Sequence, residues 1–457
     1  MFSISLKKFC LVVVGRKVSF CRLNQEARLL CTSAKRMDYP RNDFEDGGLL
    51  KPGHYSLQVG APGPAFLKQI SEHLKVASEN LRTTDRFEET LQYGCVAGGY
   101  PVKEEVAKFL TRQYGDTVQS DNIYITPGAT QGLVNMIKHY FTHENSLFVE
   151  NPTYPVFAIR VAADKLMNPV PISMESDGMN IDELEKKLAD LPVVETTERR
   201  PYRAAMYIIP THHNPTGCCY SPEKCRRLIE LAREHNLLII CDDVYNILNY
   251  SLDTNDSKRK FEFSPQRLFA YDNPSDPEYK GNVVSNGSFA KIIAPGLRMG
   301  WYEAPAHVIA SLKISYIANS GSGQCFYISH VVSEALKLGV IDNHVENLRL
   351  AHKDRMQAVI SIVEGKLSKY GVTITHPNGG YFLWVKLPQK IKSAQVLEVS
   401  KKTENVTFIK GELASVKGDF DNYIRLSIAY YELEEIKKGA EGLCRAIEAV
   451  IQNHSSL

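Results

Sequence analysis

The chain has 457 residues, 44% hydrophobic and 23% charged, the balance of a globular protein with more core than one ordinary domain holds. Its net charge of +2 is unevenly spread: residues 1–37 carry eight basic side chains (Lys7, Lys8, Arg16, Lys17, Arg22, Arg28, Lys35, Arg36) against Glu26 alone, so removing that +7 leaves −5 on the body. A body of that sign has no electrostatic reason to seek nucleic acid, and no run reaches the eighteen or so apolar residues of a membrane span.

Residues 1–37 read as an address rather than as fold. They are basic, contain Ser3, Ser5, Ser19 and Ser33, and nearly lack acids, the profile of a mitochondrial presequence. Arg28 just before Leu30-Cys31-Thr32 suits a processing site, while the apolar run from Phe9 to Gly15 is short for a secretory core. The alternative is a cytoplasmic N-terminal tail. Residues 38–90 are expected to form an arm that contributes to a small domain.

Residues 91–330 are expected to form the large domain, and from Asp121 to Ser288 they repeat one theme: a short apolar run, a polar loop, a helix-like stretch. The runs are Ile123-Tyr124-Ile125, Leu147-Phe148-Val149, Met206-Tyr207-Ile208-Ile209, Leu237-Leu238-Ile239-Ile240 and Val283-Val284. Apolarity without alternation predicts strands buried on both faces, as in a parallel sheet flanked by helices. Helix starts are marked by Ser221-Pro222, an N-cap followed by Pro at the first helical position, and by Asn180 with Glu183, a capping-box spacing. Residues 251–280 are polar and suggest a surface insertion.

Residues 331–457 are expected to form the smaller α+β domain. Apolar positions three and four apart predict a long amphipathic helix over 341–369. Strand-like segments follow at Thr373, 381–387 and 423–428, with a closing helix over roughly 432–452. The whole is an α/β fold: a large domain with a mostly parallel sheet flanked by helices, plus a smaller α+β domain. The ten cysteines form no C-x-x-C pair and no His/Cys cluster with metal-ligand spacing, so reduced thiols and no metal are expected.

In open α/β sheets, ligands bind beyond the carboxyl ends of the strands. At those ends this chain places Gly128-Ala129-Thr130, Asn151 to Tyr154, Asn214-Pro215, Asp242 to Tyr245, and Ser288 to Lys291. These are groups for anions, rings and hydrogen bonds. Lys291, flanked by Phe289-Ala290 and Ile292-Ile293, is expected to be partly desolvated, which lowers its pKa and frees its amine for imine formation.

Read together, HHNPTG (212–217), CDDVY (241–245), GSFAKIIAPGLRMGW (287–301), PNGGYFLWV (377–385) and YIRLS (423–427) resemble the class I/II pyridoxal-phosphate-dependent aminotransferases of the aspartate-aminotransferase fold (fold type I). The aminoadipate and kynurenine aminotransferases form the most similar branch. The resemblance implies pyridoxal 5'-phosphate as cofactor. It also implies ping-pong transamination between an L-amino acid and a 2-oxo acid, on a homodimer with shared active sites.

Residue by residue, the resemblance makes Lys291 the Schiff-base lysine and general base. Asp242, three residues before Tyr245, becomes the partner of the pyridine nitrogen, although Asp243 competes on residue type alone. Tyr245 and Asn214 hydrogen-bond the phenolic oxygen of the cofactor, and Tyr154 stacks on its ring. Taken alone, Asn214-Pro215 is simply the start of a turn. Backbone N–H groups of Ala129 and Thr130 at a helix start, the Ser288 hydroxyl and the Arg298 fork hold the phosphate, and Tyr93 in LQYG (91–94) reaches it from the other subunit. Arg425, in an otherwise apolar strand, anchors the substrate α-carboxylate, with Asn214 and the backbone of Gly60 beside it. Asn151-Pro152 and Asn214-Pro215 are expected to be cis.

Three departures remove no catalytic group and bear on the substrate pocket rather than on the cofactor: Cys241 where an acid is common, Ala129 where Ser is frequent, and Tyr381 in place of a small residue or Met. The fold does not decide the chemistry, so a lyase or synthase on the same scaffold, or a cofactor-free binding protein, stand as the alternatives.

Overall fold

All five apolar runs become strands because each is covered on both faces. In the computed structural model they are β2 (Ile123–Thr126), β3 (Ser146–Asn151), β6 (Ala204–Ile208), β7 (Leu237–Asp242) and β8 (Val283–Ser288). The structure describes residues 52–154, 156–157, 164, 166–251, 261–315, 318 and 323–455. The expected targeting segment, the start of the arm and residues 252–260 near the start of the polar insertion lie outside them. Pro52–Leu457 form one compact unit.

With β4 (Asn168–Glu175), β5 (Gly178–Met179) and β9 (Gly300–Glu303), these strands make an eight-stranded sheet in the order β2-β9-β8-β7-β6-β3-β4-β5. The pairs β8–β7–β6–β3–β4 are parallel, and β9 runs antiparallel between β2 and β8. The three strands β4, β5 and β9 were not anticipated. β4 contains Pro169 and Pro171, which argue against a central strand, but β5 covers only Met174 and Glu175 on its outer side, so missing donors there cost little. β9 is four residues long and ends on buried Glu303, which accepts two bonds from buried Arg267 at 2.6 Å.

The smaller sheet is antiparallel in the order β10 (Thr373–Ile374), β11 (Phe382–Lys386), β14 (Tyr423–Ser427), β13 (Ile409–Lys410). A helix over Val340–Leu367 and the closing helix over Leu433–Ser455 pack beside it, within a few residues of the expected bounds. The arm reaches this region through β1 (Tyr55–Ser56), which pairs in parallel with β12 (Val406–Thr407). Ser221 caps the helix Pro222–His235 as expected. Asn180 also caps its helix through the Glu183 N–H, but the Glu183 carboxylate bonds Ser173 instead of returning to the cap. That makes a single cap rather than a box.

In the insertion, residues 261–280 are less superficial than their polarity suggests. Phe261, Arg267 and Leu268 are buried, around one helical turn at Leu268–Tyr271. The seven described cysteines are free. No described helix is long and apolar enough to cross a membrane.

Candidate active site

Lys291 follows the β8 end, and its amine meets the N-terminal arm. Its Nζ donates to the Gly60 carbonyl at 2.6 Å, across 231 residues of chain. The rings of Tyr245 and Tyr381 each lie 5.9 Å from that nitrogen. Burial, reinforced by the positive fields of Arg425 and Arg298, brings the amine down to about 8, although Asp242 pulls it back up. An amine with that value is neutral, hence nucleophilic, far more often than an exposed lysine at the same pH.

Asp242 ends β7 and is buried. Burial raises its carboxyl to about 7 against the lowering effect of the Tyr207 hydroxyl, with Asp243 adding repulsion. Tyr207 donates to Oδ2 at 2.8 Å, whereas Oδ1 has no hydrogen-bond partner among the described residues. The neighbouring acid is directed elsewhere, since Asp243 Oδ2 accepts from Ser285 at 2.5 Å. Asp243 Oδ1 is likewise without a hydrogen-bond partner among the described residues, but Asp242 is the acid whose charge acts on the Lys291 amine, so its Oδ1 is the one open to a proton-bearing group that the chain does not supply.

Arg425 lies on β14, buried, with its guanidinium 4.3 Å above the Phe382 ring. Nη1 donates to Asn214 Oδ1 at 3.2 Å and Nη2 to the Gln58 carbonyl at 2.8 Å. Gly60 belongs to the same corner, because a Cβ there would meet Phe382 at 2.9 Å. Tyr154 is half-buried near Tyr207 and Tyr245, and both flanking Asn-Pro bonds are cis, as expected.

The helix Ala129–Tyr140 starts after Gly128, whose φ is 83°, and no side chain caps it. A Cβ on Gly128 would sit 2.7 Å from Arg298 Nη2, so the guanidinium lies directly beside that helix start. Gly300, paired with Ser288, also faces Gly128, at 3.1 Å from a built Cβ to its Cα. Free N–H groups, a hydroxyl and a guanidinium with no acidic partner among the described residues thus gather in one place, the donor set of a phosphate cup. Tyr93 is the one predicted residue not brought in. Its side chain is 78% exposed and bonds none of Lys291, Ser288 or Arg298 of its own chain.

Three contributors escaped the sequence reading, and a fourth, Tyr381, was noted only as a departure from the family. Tyr207 was visible as the one polar tip inside an apolar run. Tyr381 donates to the Lys291 carbonyl at 2.7 Å, and Asn286 holds the Ala129 carbonyl at 3.1 Å. Phe382 floors the arginine. Neither Asn286 nor Phe382 carried a local signal. The set fits pyridoxal phosphate: an amine, an unpartnered carboxylate oxygen for the ring nitrogen, and an uncapped helix start with an arginine for the phosphate.

The family described as aminotransferase class I and II matches this chain over residues 60–443. An aromatic-amino-acid aminotransferase from Thermococcus litoralis is 29% identical, over 79% of this chain and 80% of its own. A 2-aminoadipate transaminase from Thermus thermophilus is 28% identical, over 88% of this chain and 92% of its own. Among solved structures, the kynurenine aminotransferase of Pyrococcus horikoshii superposes with a TM-score of 0.76 at 26% identity, covering 94% of this chain and 99% of that one.

Proposed function

The chain belongs to the class I and II aminotransferases, and from that premise we propose that Lys291, Asp242 and Arg425 are the working residues of a site completed by a second copy of the chain. As a member of the family it is a pyridoxal-phosphate-dependent enzyme that moves an amino group between an amino acid and a 2-oxo acid. The observation that carries the residue assignment is the buried couple of Lys291, lowered to about 8, and Asp242, raised to about 7 with Oδ1 unpartnered.

When bound, pyridoxal phosphate supplies the electron sink that accepts the charge left as the Cα–H bond breaks. Lys291 takes that proton as general base and returns it as general acid. Asp242 Oδ1 would hold a proton on the ring nitrogen, and Tyr207 keeps the carboxylate aimed. Asn214 and Tyr245 would serve the phenolic oxygen, Tyr154 the ring, and Ala129, Thr130, Ser288 and Arg298 would hold the phosphate. Arg425 binds the α-carboxylate of either substrate through its fork, with Asn214 and Gly60 alongside.

An apolar patch supports the homodimer. Leu91, Tyr93, Tyr100 and Tyr327 are 64%, 78%, 62% and 41% exposed, and Phe87 packs edge-on to Tyr327 at 6.4 Å. Such a surface is characteristic of an interface, and a two-fold one completes both sites together. The N-terminal basic segment supports a mitochondrial address. The donor class follows the relatives, named for aromatic amino acids, 2-aminoadipate and kynurenine. Tyr245, Tyr381 and Phe382 beside the amine and guanidinium suit long or aromatic side chains. A panel of amino acids with 2-oxoglutarate as fixed acceptor tests it: activity confined to small donors such as alanine overturns the donor class. Oxo acid formed without any acceptor would instead indicate a lyase.

A further inference from the structure

Beneath the two Asn-Pro turns lies a polar cluster that no step above uses. Glu150, the next-to-last residue of β3, is fully buried. Its Oε1 accepts from the Ile209 N–H at 3.1 Å and the Tyr220 hydroxyl at 2.8 Å. Its Oε2 accepts from the same N–H at 3.0 Å and contacts His213 Nε2 at 3.1 Å. On the far side of that ring, Nδ1 accepts from the Thr216 N–H at 3.4 Å and lies 2.8 Å from its hydroxyl. With Nδ1 an acceptor, the ring proton sits on Nε2 and is donated to Glu150. The turn is closed by Gly217 N–H to the His213 carbonyl at 2.6 Å and His213 N–H to the Cys218 carbonyl at 2.9 Å.

The placement gives this cluster a consequence. Glu150 directly precedes Asn151-Pro152 and leads to Tyr154, while His213 directly precedes Asn214, whose side chain accepts from Arg425. The carboxylate stands at the β3 end while its partners, Ile209, His213 and Tyr220, all follow β6, so the two turns cannot shift independently without leaving a buried carboxylate short of a bond. That loss is costly in a dry interior.

We propose that Glu150 and His213 are a positioning pair that sets Asn214 against Arg425 and Tyr154 against the ring site, and so governs affinity for substrate carboxylate and cofactor rather than the proton transfer itself. The inference rests on the site reading above.

Glu150→Gln keeps the shape but removes the charge and turns an amide donor toward groups that already donate. The expected result is a KM for both amino donor and oxo acid raised about tenfold, with kcat altered less than about threefold. Pyridoxal phosphate should also dissociate about fivefold more readily, followed by the absorbance lost on dialysis. His213→Gln should give the same split, and the double variant should be no worse than the worse single, as for groups acting as one unit. If Glu150→Gln does not fold, His213→Gln decides by the same split.

Variants with a lower melting temperature but unchanged KM and cofactor affinity would mean the pair is only structural, and the proposal falls. Asn214→Ala separates the layers. If it moves both quantities and neither pair variant does, only the pair is wrong. If it moves nothing, the site reading fails and takes the pair with it.

Discussion

The Tyr381 hydroxyl donates to the main-chain carbonyl of Lys291 at 2.7 Å, so the residue that departs from the small side chain or Met frequent in the family is tied to the amine-bearing residue itself. Tyr381→Phe keeps the ring and strips this bond from a buried carbonyl, which costs about 1–2 kcal/mol. The melting temperature should drop and kcat fall several-fold, with cofactor stoichiometry unchanged. Wild-type kcat in the variant would show that the tether does not hold the lysine.

Lys291→Ala should remove turnover by a factor of about 10² to 10⁴ or more, the range that a positioned acid–base group contributes. Circular dichroism should be unchanged. The melting temperature of the cofactor-free variant should be equal or higher, because burial of this amine is unfavourable in the folded chain. Turnover near wild type would end the assignment.

Capture of pyridoxal phosphate by the cofactor-free protein should depend on pH with an inflection near 8. Below it the amine is protonated and the rate falls about tenfold per pH unit; above it the rate is flat. The Asp242 charge favours the ammonium form, so Asp242→Asn should move the inflection lower. An inflection close to 10.5, the ordinary lysine value, would show that Lys291 is not desolvated as described. Absorbance on rapid mixing measures both.

Arg425→Lys keeps a charge but loses the fork. KM for amino donor and oxo acid should both rise about 100-fold, near 3 kcal/mol, with a smaller change in kcat. Equal effects on kcat and kcat/KM would place the interaction in the transition state instead.

Tyr93→Phe should weaken cofactor retention more than it slows the chemistry, and dilution below the dimer dissociation constant should do the same. A fully active monomer by sizing would overturn the shared site.

The sequence by itself determined the sheet and the parts list. Runs such as Leu237–Ile240 are apolar on both faces, which only a covered strand tolerates, and the residues after each run were chemically conspicuous. Lys291, Asp242, Asn214 and Arg425 were all legible from motif and position. The short strand β9 and the proline-bearing β4 were not, because their stability comes from neighbours in the sheet rather than from local pattern. Tertiary structure alone decided that Tyr207 aims Asp242 and that Glu150 joins His213. It also brought Arg425 to the Gln58 carbonyl across 367 residues and left Tyr93 pointing outward. Hydrogen bonds act over about 3 Å and periodicity over a few residues, so contacts between distant segments leave no trace until the chain is closed.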